Sequence, residues 1–466
     1  MCDIVTVSGS AHFEPVQAPQ LDHPVYRGVE AGWLRFDPQK RAGSSRLKAA
    51  VKTLIADLEA HEAKLGLRQR RRDRDALASF RLAAEAISVN LLWSTMDPLS
   101  RPLAVLRDTS ALRGKSRYKP ACYSLAFTGV LDLMAQSEVA LIESLTRGYS
   151  YRGGGAAPST VRPTADFLDR YVPSGLTWRD FRREPEAEVL VLKARKEAGA
   201  ATSERAEYAD TGHTRKLRRE VQRINRFLQD APFWFEDDAG PLGLTKGGQM
   251  VDPLRRTVWR GFNNSSWKEG GRLWGGAWEN MRRADRFRLL RIGSAQHPEG
   301  ESVCNVDLRS LNPVLCYVLA DLPVPDRDLY DIRGDGNCRA AFKVLLSAML
   351  FATGRFAHMP REAQEAFPPG TKTRDVVAAV ERYHAPIAHR FWCGYGYRLT
   401  FVESSILLAA LEDLNRQGVT ALPLHDSVLV ARSEAQRAKL ALETAFASHT
   451  NHLGVSINID YGEQYQ

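Results

Sequence analysis

The sequence predicts an α+β fold in which a mostly helical N-terminal region precedes a C-terminal segment of alternating strands and helices. Three observations lead there. Between Ser44 and Asn90 the apolar residues Leu47, Val51, Leu54 and Leu58 recur at helical intervals. From about residue 301 short strand-like runs alternate with amphipathic ones, and "VSINIDYG" near the C-terminus alternates Val455, Ile457 and Ile459 as a half-buried strand does. Between these, "LPLHDSVLV" (422–430) sets a polar triplet between two apolar runs, the pattern of a hairpin with polar residues at its bend.

A chain of 466 residues has material for two or three domains. Its 44% hydrophobic and 26% charged residues are those of a soluble globular protein. Lys and Arg (64) outnumber Asp and Glu (55), which suits a polyanionic partner only where the excess is clustered. The six cysteines (Cys2, Cys122, Cys304, Cys316, Cys338, Cys393) form no C-x-x-C pair. That argues against the usual zinc site and a disulfide framework, and fits a reducing cytosol. No apolar run reaches the ~18 residues of a membrane span. The start lacks a basic stretch followed by an apolar core, so a cytoplasmic protein without a membrane partner is expected.

Residues 1–40, rich in Pro, Gly and polar side chains, are expected to be poorly ordered. Residues 41–180 are expected to form a helical, winged-helix-like module that binds nucleic acid. Within it "RQRRRDRD" (68–75) reads as a solvated helix face, with phosphate contact the alternative. The stretch 123–171 reads as two helices, a Gly-rich hairpin and a short helix, with Arg147, Arg152 and Arg162 on the wing. A plain connecting hairpin is the alternative. Residues 181–295 are expected to be basic and helical, with two long polar helices over 189–232. The clearer of these carries the stripe Leu217, Val221, Ile224 and Leu228. Between 251 and 291 ten Lys/Arg stand against four Asp/Glu, interleaved with Trp259, Trp267, Trp274 and Trp278. That mixture suits phosphates and unstacked bases, and is equally compatible with tryptophans buried in a folded segment.

The aspartate of the hairpin asks for a partner carboxylate. In "ESVCNVDLRSLNPVLCYVLADL" (301–322) the strand Val303–Val306 ends at Asp307, and Pro313 opens a helix with Asn312 at the cap position. Two aspartates at adjacent strand ends can hold two divalent cations, which clamp the attacking and leaving oxygens of a phosphoryl displacement. Between them, "RAAFKVLLSAMLFATG" (339–354) places Arg339 and Lys343 four residues apart on one helix face, with Phe342, Leu345, Leu346, Met349 and Leu350 to seat it. Two such cations suit a nucleoside triphosphate. Taken singly, the aspartates read as turn residues and the cations as surface charges.

In this order the three elements resemble motifs A, B and C of the single-subunit nucleic-acid polymerases, the A-family DNA polymerases and the phage-type RNA polymerases. "GGRLW" (270–274) resembles the T-G-R-L element, with Arg272 lying 35 residues before Asp307. "DRDLYDI" (326–332) resembles the segment entering the fingers. "YRLTFVESSILLAALEDLNRQGV" (397–419) resembles the long helix before motif C, with Leu407, Ala410, Leu411 and Leu414 buried and Gly418 as its stop. The resemblance covers roughly 270–466. It implies a right-hand fold: a thumb over 181–295, then a palm over 296–466 containing fingers at about 326–396. The fingers must be compact, because 119 residues separate Asp307 from Asp426.

The resemblance further implies that Asp307 and Asp426, with the Leu308 carbonyl, hold two Mg2+ ions, for which Mn2+ can substitute. Arg339, Lys343, Asn312 and Phe351 would bind the nucleotide, with Lys343 counted in the catalytic set. Arg272, Arg260 and His425 would contact primer–template DNA. Three departures leave the sugar open. Asn312 stands where the DNA polymerases carry Glu and the RNA polymerases a small residue. Phe351-Ala352 replaces Tyr-Gly, which leans towards deoxynucleotides or tolerance of both. His425-Asp426-Ser427 matches the RNA polymerases. Nothing in 1–270 presents the spaced carboxylates of a proofreading exonuclease. The activity implied is template-directed DNA synthesis for a plasmid or mobile element. The rivals are an RNA-synthesising polymerase or primase, and a non-catalytic DNA-binding replication protein with a degenerate palm.

Overall fold

The computed structural model describes residues 32–150, 156–186, 188–197, 203–236 and 243–465. Most of the expected unstructured start, residues 1–31, and Arg152 of the wing lie outside the described residues. The chain is mixed α+β and divides into two compact units: Met1–Leu112 with Cys122–Phe181, and Arg113–Ala121 with Arg182–Gln466.

In the first unit α1 (Ser45–Lys64) and α2 (Arg74–Ser94) form an antiparallel pair. The stripe Leu47, Val51, Leu54 and Leu58 is buried as its spacing predicts, and the Ser44 hydroxyl caps α1 by accepting from the Leu47 amide (3.2 Å). Residues 65–73 are the connector between the helices rather than a helix face, because Asp73 caps α2 and so fixes where it begins. By length and composition α2 is apolar enough to cross a membrane, but Phe80, Ala84, Ile87 and Leu91 are buried inside this unit. The strands β1 (Leu34–Arg35), β2 (Leu103–Val105), β3 (Ile142–Thr146) and β4 (Ser159–Pro163) form a sheet in the order β1-β2-β4-β3. Residues 32–40 therefore belong in part to the fold, with Leu34 buried. Helices α3 (Leu125–Met134) and α4 (Ala165–Tyr171) flank the hairpin. The second helix expected before the wing is instead β3. Its residues Ser144 and Thr146 pair with Val161 and Thr160 of β4, and this long-range pairing overrides local propensity.

The second unit holds a six-stranded antiparallel sheet. Its strands are β6 (Phe233–Phe235), β9 (Leu290–Ile292), β10 (Glu301–Leu308), β11 (Ala421–Leu424), β12 (Ser427–Ala431) and β13 (Ile457–Asp460). The order is β6-β9-β10-β12-β11, with β13 pairing the second half of β10, so β11 is an edge strand. A smaller sheet joins β5 (Leu190–Leu192), β7 (Trp259–Asn263) and β8 (Ser266–Trp274). Of the two helices expected over 189–232 only α5 (Gly212–Asp230) is found among the described residues. The continuous apolar run Val189–Leu192 is buried, and Leu190–Leu192 pairs in parallel with β7, as a strand covered on both faces does. The described residues of 181–295 thus carry one long helix and six strands, Phe181–Arg183 included, rather than a mainly helical region. The other longer helices of the unit are α6 (Leu311–Val318), α7 (Arg339–Phe351), α8 (Thr373–Tyr383), α9 (Tyr395–Arg416) and α10 (Ala435–Thr450).

Candidate active site

The β11–β12 hairpin closes through two residues, His425 and Asp426, between the paired Leu424 and Ser427. His425 sits in the left-handed region (φ 59°), a conformation costing a non-glycine residue about 1–2 kcal/mol. Strain of this kind persists only where surrounding structure enforces it. Here the enforcement is visible. The Trp274 ring meets the imidazole edge-on at 5.3 Å, and Trp278, fully buried, donates its indole N–H to the Pro423 carbonyl (2.7 Å). Ser427 serves the hairpin itself, its hydroxyl lying 2.8 Å from Asn305 Oδ1 and 2.9 Å from the Leu424 carbonyl. Burial, then the nearby Arg272 guanidinium, hold the His425 imidazole below its ordinary pKa, and its Nδ1 is buried without a hydrogen-bond partner.

Asp307, near the end of β10, lies directly across the ladder from Ser427, one residue from Asp426. Burial first, and then the Asp426 carboxylate, push the Asp307 carboxyl up to about 7. Lys343 opposes the rise and Glu403 adds to it, so these four side chains share one electrostatic neighbourhood. The side chain of Leu308, the next residue, is buried, leaving its main chain to contribute to the site.

Across from the aspartates, α7 presents the two predicted cations. Arg339 Nε donates to Asp328 Oδ2 (2.7 Å), while Lys343 is exposed. Both approach the ring of Tyr330, at 5.4 Å and 5.9 Å from its centroid. The Tyr330 phenol is driven up in pKa by burial and feels both Arg339 and Asp426, which brings the α7 cations and the hairpin aspartate into one cluster.

The "GGRLW" element explains its own glycines. Gly270 and Gly271 have φ of 81° and 91°, and a Cβ on Gly271 would meet Ser404 Oγ at 2.7 Å. Without side chains β8 lies close against α9. Arg272 then forms a two-pronged ion pair with Glu403, Nε to Oε1 at 2.6 Å and Nη2 to Oε2 at 2.9 Å. Arg260 lies inside the protein. Its side chain is 2% exposed, with Nε donating to the Gly271 carbonyl (2.9 Å) and Nη2 to Ser404 Oγ (3.3 Å). It clips β8 to α9 and offers no surface for a primer–template.

Asn312 is not the cap of α6. Ser310, itself left-handed (φ 53°), occupies that position, and Asn312 is the second helical residue, its Oδ1 buried without a partner. Phe351 ends α7, with its ring against Gly396 of α9, where a Cβ would come within 2.8 Å, and edge-on to Tyr397 (5.1 Å). The structure therefore gathers Asp307, Asp426, Lys343, Arg339, Arg272 and His425, and sets Arg260 into the interior. Glu403 and Tyr330 were missed as site residues. Glu403 carried a readable signal: an acid four residues from both Leu399 and Leu407, on the buried stripe of α9. Among the described residues no group of three or more His, Cys, Asp or Glu side chains is arranged to hold a metal ion. A comparison with protein-family models finds no match, and one with curated proteins finds none either.

Proposed function

We propose that the chain is a template-directed nucleotidyltransferase of right-hand architecture that extends a DNA primer with deoxynucleoside triphosphates. The observation that carries this reading is the placement of Asp307 and Asp426 at neighbouring strand ends, facing the Arg339 and Lys343 pair. Asp307, whose ionisation is made costly by burial and by the neighbouring Asp426 carboxylate, fits a site for divalent ions. Mg2+ needs only one or two carboxylates, its other ligands being water, main-chain oxygen and phosphate. Asp307 and Asp426, with the Leu308 carbonyl, would hold it. Bound there, the ions supply Lewis-acid stabilisation of the phosphoryl oxygens.

The chain's own residues do the rest. Arg339 and Lys343 neutralise the triphosphate, and the aromatic floor of Tyr330 limits where they can point. Glu403 holds the Arg272 guanidinium in a fixed plane for a phosphate of the primer strand, and His425 faces the primer end. In the reaction the primer 3′-oxygen bonds to the α-phosphorus, the bond to the β-phosphate breaks, pyrophosphate leaves and the hydroxyl proton passes to water. The free thiols of Cys122, Cys304, Cys316, Cys338 and Cys393 support a cytoplasmic setting.

One observation favours a second reading, synthesis from ribonucleoside triphosphates. By the resemblance Asn312 faces the sugar, and its buried, unpartnered Oδ1 is an acceptor suited to a 2′-hydroxyl. Primer extension with dNTPs and NTPs in separate reactions decides between the two. Asp426→Asn is expected to lower extension by at least about a hundredfold, as losing a charge-stabilising group does, while primer–template affinity holds. Extension undiminished in Asp426→Asn rules out both readings.

A further inference from the structure

The proposed reaction makes no use of the basic run between α1 and α2. The connector and first turn carry Arg68, Arg70, Arg71 and Arg74, all exposed. Of the carboxylates close to them in the two helices, Glu59, Glu62 and Asp73 are engaged elsewhere. Glu59 receives Arg81 (2.7 and 3.1 Å), and Glu62 receives Arg72 (2.6 Å to Oε1). Asp73 Oδ1 caps α2 by accepting from the Ala76 amide (2.8 Å). Asp75 lies in the first turn of α2, where the helix dipole favours an acid. Arg68 donates only to the carbonyl of Arg70 (3.2 Å), and the guanidinium groups of Arg70, Arg71 and Arg74 meet no partner among the described residues. Elsewhere in this unit arginines face acids: Arg46 meets Asp180 (2.7 Å), Arg101 meets Asp97 (2.9 Å) and Arg170 meets Asp57 (3.0 Å).

The base of the connector is fixed as well. Arg72, besides its pair with Glu62, lies 3.9 Å over the ring of Phe80, which is buried. The fold thus turns one arginine inward as an anchor and presents four others on a supported loop.

We propose that this tip is a contact for the phosphate backbone of duplex nucleic acid. Four unneutralised guanidinium forks within seven residues, with no lysine among them, match phosphate oxygens, which accept two parallel N–H bonds. A linear polyanion can engage several of them at once, with release of its condensed counterions. An anionic membrane is the poorer match, because the only large apolar side chain exposed there is Leu67. The contact does not rest on the polymerase reading and stands whether or not the chain extends a primer.

The test is binding of the full chain to a labelled, blunt-ended DNA duplex as a function of salt. Each phosphate contact contributes about 0.9 to the slope of log affinity against log salt. Arg68→Ala/Arg70→Ala/Arg71→Ala/Arg74→Ala is expected to flatten the slope by about three to four. Between about 50 and 200 mM salt the wild type then loses roughly a hundredfold more affinity than this variant. The four-lysine counterpart, which keeps the charge, is expected to retain most of the slope. Thermal unfolding of the alanine variant should match wild type, since the one bond lost is that of exposed Arg68 to the Arg70 carbonyl. Asp426→Asn is expected to keep the wild-type slope, which separates this contact from the reaction. A slope change below about one overturns the proposal. So does a result in which vesicles rich in phosphatidylserine, and not the duplex, lose their affinity in the alanine variant.

Discussion

Asp307→Asn is expected to stabilise the protein at alkaline pH while abolishing extension, and the size of the gain follows from the site. In the fold the Asp307 carboxyl sits at about 7 against an ordinary 3.8, raised by burial and by Asp426. Between those values the folded protein holds a proton that the unfolded chain has released. Stability therefore falls as pH rises from about 4 to 7 and is flat above that. At about 1.4 kcal/mol per pH unit, ionised Asp307 costs the fold about 4 kcal/mol at pH 8. The amide keeps the shape of the protonated acid and cannot ionise. Urea titrations followed by tryptophan fluorescence, in chelator, should show Asp307→Asn more stable than wild type by about 3–4 kcal/mol near pH 8 and nearly equal to it near pH 4. Mg2+ added near pH 8 should recover stability in wild type and not in the variant, because an ion that binds only the folded state stabilises it. Equal midpoints for the two proteins near pH 8 in chelator would refute the claim that Asp307 is strained by burial and by Asp426.

Three further outcomes are expected. Glu403→Gln, which leaves Arg272 partly buried and unpaired, should cost about 2–4 kcal/mol in urea unfolding, and Arg272→Met/Glu403→Leu together should recover most of it. Arg339→Ala and Lys343→Ala should each raise KM for the incoming nucleotide about ten- to a hundredfold with primer–template affinity unchanged, while Asp328→Ala, which frees Arg339, should not raise it. Gly271→Ala, at φ 91° and against Ser404, should destabilise by about 1–3 kcal/mol and depress extension in steady-state assays by displacing Arg272 from Glu403.

The parts of the fold legible in the sequence are those whose pattern is local. The hairpin 421–431 shows as two apolar runs about a polar bend, and the strand leading to Asp307, the helix bearing Arg339 and Lys343 and the stripe of α9 each show their pattern over their own length. What misled was decided at long range. Residues 142–146, a mixed Ile-Glu-Ser-Leu-Thr segment, and the apolar run 190–192 are short enough to fit either a helix or a strand, and only their partners in β4 and β7 choose. Arg260 in a basic, Trp-rich stretch reads as a surface cation. Its burial depends on the close approach of α9 at Gly271, which nothing within the stretch announces. Asn312 was misplaced as a cap because Ser310 takes a left-handed conformation that a capping preference alone does not foresee.

Pro423 has a further consequence. It lies in the outermost strand of the large sheet, at the position paired with Val428, where an ordinary residue would turn its amide hydrogen outward. Proline has no such hydrogen, and its oxygen is already claimed by the indole of Trp278. The rim that carries His425 and Asp426 therefore offers little for another polypeptide to zip onto, and strand addition or sheet-to-sheet aggregation is blocked at the place where it would smother the cleft.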